Sequence, residues 1–112
     1  MTSPHLNRSL VLESPSNVPD GAGGQTVLWV PLGQLWGAVK FASGSVRTAE
    51  TSAQSRLNID VLVRGAPDSS PLRPKPGQRF REGGRVYRID TVGDRDARAH
   101  YLKCDCRLEV TP

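Results

Sequence analysis

From Arg98 to Val110 the chain alternates without a break. Leu102, Cys104, Cys106, Leu108 and Val110 fall on one side, and Tyr101, Lys103, Asp105, Arg107 and Glu109 on the other. Side chains of a β-strand point to opposite faces in turn, so only a strand gathers the first set onto one face. One apolar and one polar face is the pattern of an antiparallel sheet with one side buried. Leu57–Arg64 has the same period, with Leu57, Ile59, Val61 and Val63 opposed to Asn58, Asp60 and Arg64. The chain also carries 11 Gly and 9 Pro. Both break helix interiors, which argues against a helical bundle and suits short strands joined by turns.

Other segments fit that scheme. Leu6–Glu13 reads as a short strand with Leu10 and Leu12 on one face. Ser14–Gly24 (SPSNVPDGAGG) has turn chemistry and is expected to be an exposed loop. Thr26–Val30 is strand-favouring, Pro31-Leu32-Gly33 bends the chain at an edge or corner, and Leu35–Phe41 resumes as strand. Ala42–Arg56, rich in Ser and Thr, reads as a mobile loop with at most one short helical turn. Ala66–Gly77, with four Pro, reads as an extended exposed loop. Phe80 and Val86–Val92 flank Glu82-Gly83-Gly84, a hairpin turn. A single small sheet would leave its apolar face open. The expected fold is therefore all-β: a small antiparallel β-barrel of about six strands with long loops. Its predicted core includes Trp36, Ile59, Val61, Val63, Tyr87, Ile89, Leu102 and Leu108.

A chain of 112 residues and 12.2 kDa supports one hydrophobic core, so 1–112 reads as a single domain with a flexible N-terminus at 1–7. Met1–Leu12 lacks the pattern of a signal peptide, and no stretch is apolar enough for a spanning helix, so no membrane role is expected. Two Cys cannot form a disulfide framework, and an intracellular, reducing compartment is the expectation.

Catalytic and metal chemistry find little support. Cys104 and Cys106 share the apolar face with Leu102 and Leu108, which suits small core residues. A zinc site needs about four ligands, and His5 and His100 are the only nitrogen partners. Gly21–Thr26 (GAGGQT) lacks the Lys-Ser/Thr ending of a phosphate loop. No enzyme activity, cofactor or metal is expected. The basic residues, 12 Arg and 3 Lys, give a net charge of +4 and a local cluster. Arg73, Lys75, Arg79, Arg81, Arg85 and Arg88 lie together with one acid, Glu82, a patch suited to phosphates or an acidic protein. Most aromatics fall in apolar strand patterns rather than on a basic face, which weakens the case for base stacking.

The order of features resembles the head–tail joining proteins of long-tailed phages and phage-like gene-transfer particles, also called head-closure or stopper proteins. A first strand at Leu10–Glu13 precedes a loop with Pro19-Asp20-Gly21 and Gly23-Gly24. Trp29 and Trp36-Gly37-Ala38-Val39 follow, then a small-residue loop with Ser43-Gly44 and Glu50. An alternating strand ends at Arg64, a hairpin carries Gly84-Arg85-Val86-Tyr87-Arg88-Ile89, and a last strand runs from Tyr101-Leu102 to Glu109. The similarity spans roughly residues 6–110, and order and spacing carry it.

The resemblance implies a non-enzymatic β-barrel protomer in a homo-oligomeric ring of 6 or 12 copies at the head–tail interface. A portal adaptor would lie on the head side and a tail terminator on the tail side. Packaged double-stranded DNA would pass through without sequence recognition. It further implies that the loop between the second and third barrel strands, here Ala42–Arg56, lines or closes the channel. Ser43, Gly44, Arg47, Glu50 and Arg56 are its candidate residues, with Arg47 and Arg56 facing phosphates. Arg73, Lys75, Arg79, Arg81 and Arg85 are candidates for the ring or partner interface, which in a ring joins unlike patches. The alternative is a stand-alone nucleic-acid-binding barrel, with strong salt-sensitive binding at monomer level.

Overall fold

In the computed structural model, six antiparallel strands close into a barrel. They are β1 (Arg8–Pro19), β2 (Gln25–Phe41), β3 (Asn58–Arg64), β4 (Arg79–Glu82), β5 (Arg85–Asp94) and β6 (Tyr101–Glu109), in the order β1-β2-β3-β6-β5-β4. The structure describes residues 5–41, 58–95 and 100–109. The ring closes where Val11, Leu12 and Glu13 of β1 face Arg81, Phe80 and Arg79 of β4.

Parity sets the core. Ile59, Val61 and Val63 point inward from β3, opposite Cys106, Cys104 and Leu102 of β6. Phe80 of β4 faces Tyr87 of β5 and Leu12 of β1, which seals the barrel on its other side. Ile89 completes this layer, and Leu108 is partly buried against it. Closure leaves no free sheet edge around the barrel's middle.

The alternation places Trp36 in the core; instead it is 55% exposed. Gly37 explains this. It lies opposite Val63, and a Cβ there would meet Leu10 Cδ1 at 2.8 Å and the Leu62 carbonyl oxygen at 3.0 Å. The backbone is drawn inward at Gly37, so its neighbour Trp36, opposite Ser9, must face out.

Two loop expectations, and the separation of two strands at Pro31-Leu32-Gly33, are also corrected. Ser14–Pro19 is strand, not loop: β1 and β2 continue past the barrel as a two-stranded arm, with Ser14 opposite Val30 and Pro19 opposite Gln25. Strand-favouring Thr26–Val30 recruits this partner, and Pro15 and Pro19 are tolerated because the other side of β1 is unpaired there. The tip is held by the Asp20 carboxylate, which accepts from the Ala22 and Gly24 amides at 2.8 and 3.1 Å. Next, Pro31-Leu32-Gly33 lies at an unpaired edge of β2, as expected, but bends it as a bulge within one continuous strand rather than separating two strands. Leu12 faces Gly33 and Glu13 faces Pro31, so Leu32 is the unmatched residue of a bulge. Finally, the Pro-rich 66–77 segment folds back onto the barrel. Pro74 is fully buried, Leu72 packs over Gly33, and the Arg73 guanidinium donates to the Ala66 carbonyl at 2.7 Å.

The barrel has two distinct ends. The arm and the 66–77 segment share one. The other carries Arg8, the β4–β5 turn with Gly83 at φ 60°, and the facing residues Phe41 and Ile59. The segment expected to form the channel loop leaves from Phe41 and returns to Asn58 at this second end.

Candidate functional site

Phe80 points into the barrel, so its neighbours Arg79 and Arg81 stand on the outer face of β4. The pairing of Glu13 with Arg79 sets a carboxylate between them. Arg79 Nε donates to Glu13 Oε1 at 2.7 Å and Arg81 Nε to Glu13 Oε2 at 2.9 Å. Glu13 is only 4% exposed. Burial alone would raise its pKa, but the two arginine bonds and charges outweigh it and hold the carboxyl below its ordinary value.

The same wall receives the root of the arm. The Arg79 guanidinium carbon lies 4.2 Å from the Trp29 ring centroid, and that of Arg88 lies 5.3 Å from it. A charge over an indole face is attracted by the ring quadrupole. Trp29 therefore sits in a basic setting, as does Phe41 beneath Arg85 at 5.6 Å. The sequence reading, which keeps aromatics apart from the basic face, is corrected at both positions. Neither contact is visible in linear sequence, because each joins residues of different strands.

At the second end, Arg8 donates to both oxygens of Glu82, from Nε at 2.6 Å and from Nη2 at 2.8 Å. Tyr87 donates its hydroxyl to the same carboxylate at 2.8 Å. The Arg8 bond holds the Glu82 carboxyl low against the opposing effect of burial. Burial, then the Glu82 bond, push the Tyr87 hydroxyl up.

The five candidate interface residues, adjacent in sequence, occupy three places. Arg73 and Lys75 lie in the folded-back segment, Arg73 paired with Asp68 at 3.1 Å and with the Ala66 carbonyl. Arg79 and Arg81 share Glu13 on the outer wall. Arg85 is exposed at the second end. Ser43, Gly44, Arg47, Glu50 and Arg56 lie outside the described residues. Glu13 and Trp29, which tie the arm to the wall, are absent from the sequence-based candidates.

Cys104 and Cys106 face the core, and burial pushes the Cys104 thiol up to about 12 and that of Cys106 up as well. Such thiols are poor nucleophiles and metal ligands. Among the described residues, no group of three or more His, Cys, Asp or Glu could hold a metal ion. What the surface of the described residues offers is charge, a two-stranded arm and exposed apolar side chains.

The family model "phage head completion protein" matches residues 1–109. A chain in a structure titled as the virion of a native gene transfer agent particle is 44% identical, with a TM-score of 0.80. The match covers 98% of this chain and 100% of that one. The solution structure of a Shigella flexneri 2a protein has a TM-score of 0.70 over 100% of both chains, at 19% identity, and shows the fold alone. No curated protein matches.

Proposed function

The chain belongs to the phage head completion protein family, which makes its role structural, and from that premise we propose that it forms a ring of the head–tail connector and closes the DNA channel as a stopper. The observation that carries this reading is the 44% identity, over 98% of the chain, to a component of a gene transfer agent virion. The particle, virus or gene-transfer agent, is then where the protein resides. Its neighbours in this reading are further copies of itself in a ring of 6 or 12, a portal adaptor, a tail terminator and packaged double-stranded DNA.

The barrel's second end suits the channel side. Phe41 and Asn58, the described residues on either side of the Ala42–Arg56 segment, lie at that end. Ser43, Gly44, Arg47, Glu50 and Arg56 would line the opening, the two arginines meeting phosphates without reading bases. Among the candidate interface residues, Lys75, Arg81 and Arg85 are exposed, and Lys75 and Arg85, which do not pair with Glu13, suit an acidic neighbour. Arg79 and Arg81 would offer what Glu13 leaves of their charge.

Electron microscopy of particles from a strain lacking the gene tests the role. Unjoined heads and free tails, with heads emptied of DNA, are expected. Intact, tailed, DNA-filled particles would overturn it. Replacing Arg47 and Arg56 with Glu should leave docking intact and impair DNA retention; normal retention would overturn the channel assignment. The stand-alone nucleic-acid-binding reading draws on the Arg85–Phe41 stack. It requires tight, salt-steep binding by the monomer.

A further inference from the structure

The arm carries an asymmetry that nothing in the barrel requires. Among the described residues, Ser14–Pro19 and Gln25–Val30 pair only with each other, so each has a free edge. The β1 edge contains Pro15 and Pro19, which lack an N–H donor and obstruct further pairing. The β2 edge, Gln25–Val30, contains no proline and is built of strand-favouring Thr26, Val27, Leu28, Trp29 and Val30. Its length is that of a typical strand, about five to six residues. Val27, Leu28 and Val30 are 49%, 52% and 45% exposed, with Leu28 and Val30 on one face and Val27 on the other.

Charge narrows the occupant. Asp20 is the one charged residue between Ser14 and Gln34. A phosphate backbone is held by Lys and Arg, and the arm has none. Away from Trp29, where Arg79 and Arg88 stand, and from Asp20 at the tip, a charged strand laid along this edge would lose water and find no opposite charge in return. The complement of a neutral apolar edge is a neutral apolar strand. The arm is also held ready for one. Its root is held by Trp29 against Arg79 and Arg88, and its tip by Asp20. An element ordered in advance loses little entropy on binding.

We propose that the Gln25–Val30 edge of β2 is a β-augmentation site that takes an extended, uncharged, apolar segment of a neighbouring protein in the particle as an added strand. Backbone hydrogen bonds supply the attachment, and Val27, Leu28 and Val30 select the side chains. The choice of partner rests on the head-completion reading.

Backbone hydrogen exchange of the full chain, free and within purified particles, tests this. Amides of Gln25–Val30 are expected to exchange at least tenfold more slowly in particles, and those of Ser14–Pro19 to change less. Leu28→Lys should reduce incorporation into particles at least tenfold. Asn17→Lys, on the proline-guarded strand of the same arm, should leave incorporation within twofold. Both positions are exposed, so circular dichroism should show folded barrels. Unchanged exchange at Gln25–Val30 in a chain that is present in particles overturns this inference and leaves the head-completion role standing. Absence of the chain from particles overturns both. Protection of the free chain by phosphatidylcholine vesicles would assign the edge to lipid and overturn the protein partner.

Discussion

Arg79 is shared between Trp29 and Glu13. Its guanidinium carbon lies 4.2 Å from the Trp29 ring centroid while its Nε donates to Glu13 Oε1 at 2.7 Å. Trp29 belongs to the arm portion of β2, Glu13 to the last residue of β1 paired with the wall, and Arg79 to β4. One side chain thus joins the arm to the barrel at the point where the strands leave it. A two-stranded hairpin alone is marginally stable in water. This junction adds tertiary contacts where the arm leaves the barrel.

Trp29→Ala removes the stacked ring and keeps the barrel core. A cation–π contact of this kind contributes about 1 kcal/mol, so the melting temperature should fall by roughly 4 °C. Hydrogen exchange should speed up in Ser14–Val30 and stay unchanged in β3 and β6. If the arm exchanges as slowly as before, the arm is not held through Trp29.

Stability should fall at acid pH through two carboxylates. Burial raises the Glu13 pKa, but the Arg79 and Arg81 bonds prevail and bring it below its ordinary 4.5. Glu82 is lowered below 4.5 by its Arg8 bond. A carboxyl group whose pKa is lower in the folded state stabilises fully above its unfolded value and ceases to as pH falls through the folded one. These groups therefore contribute a constant stability above about pH 4.5 and lose it progressively below. Denaturant titrations from pH 7 to pH 3 measure this. Glu13→Gln should cost about 2 kcal/mol at pH 7, because it weakens two charge-assisted bonds at a buried site, and should flatten the acid fall.

The parts of the fold legible in sequence are those where one strand carries its own signal. β3 and β6 alternate strictly, and Ile59, Val61, Val63 and Leu102 are buried in the structure. The arm was hidden because Ser14–Pro19 has the composition of a turn. It becomes strand through its partner, a relation between residues that composition does not carry. The same is true of Glu13, whose two arginines lie 66 and 68 residues away. Pro74 reads as loop because proline usually is exposed; its burial depends on what the segment folds over.

Gly37 should not tolerate a methyl group. An added Cβ would meet Leu10 Cδ1 at 2.8 Å and the Leu62 carbonyl oxygen at 3.0 Å. Leu10 can rotate at some cost, but the carbonyl is part of β3 and cannot move without disturbing its pairing. Gly37→Ala should destabilise by about 1–3 kcal/mol, the usual range for overpacking. Gly84→Ala, where a Cβ meets nothing within 4 Å, is the control and should change stability little when both are unfolded in urea.

Two aromatic residues then separate the core from the surface. Trp36 and Phe80 both sit in strands, and Trp36 is the larger. Area alone would make its loss the more damaging. Yet Trp36 is 55% exposed and Phe80 is fully buried. Trp36 stands opposite Ser9 on the outer face, so Trp36→Ala leaves no internal cavity, and its effect should stay near 0.5 kcal/mol. Phe80 fills the barrel between Leu12 and Tyr87, so Phe80→Ala opens a void there and should cost about 3–5 kcal/mol. Urea unfolding of the two variants measures the difference. Equal losses would mean that Trp36 is buried in the folded protein and that β2 has the opposite parity at Gly37.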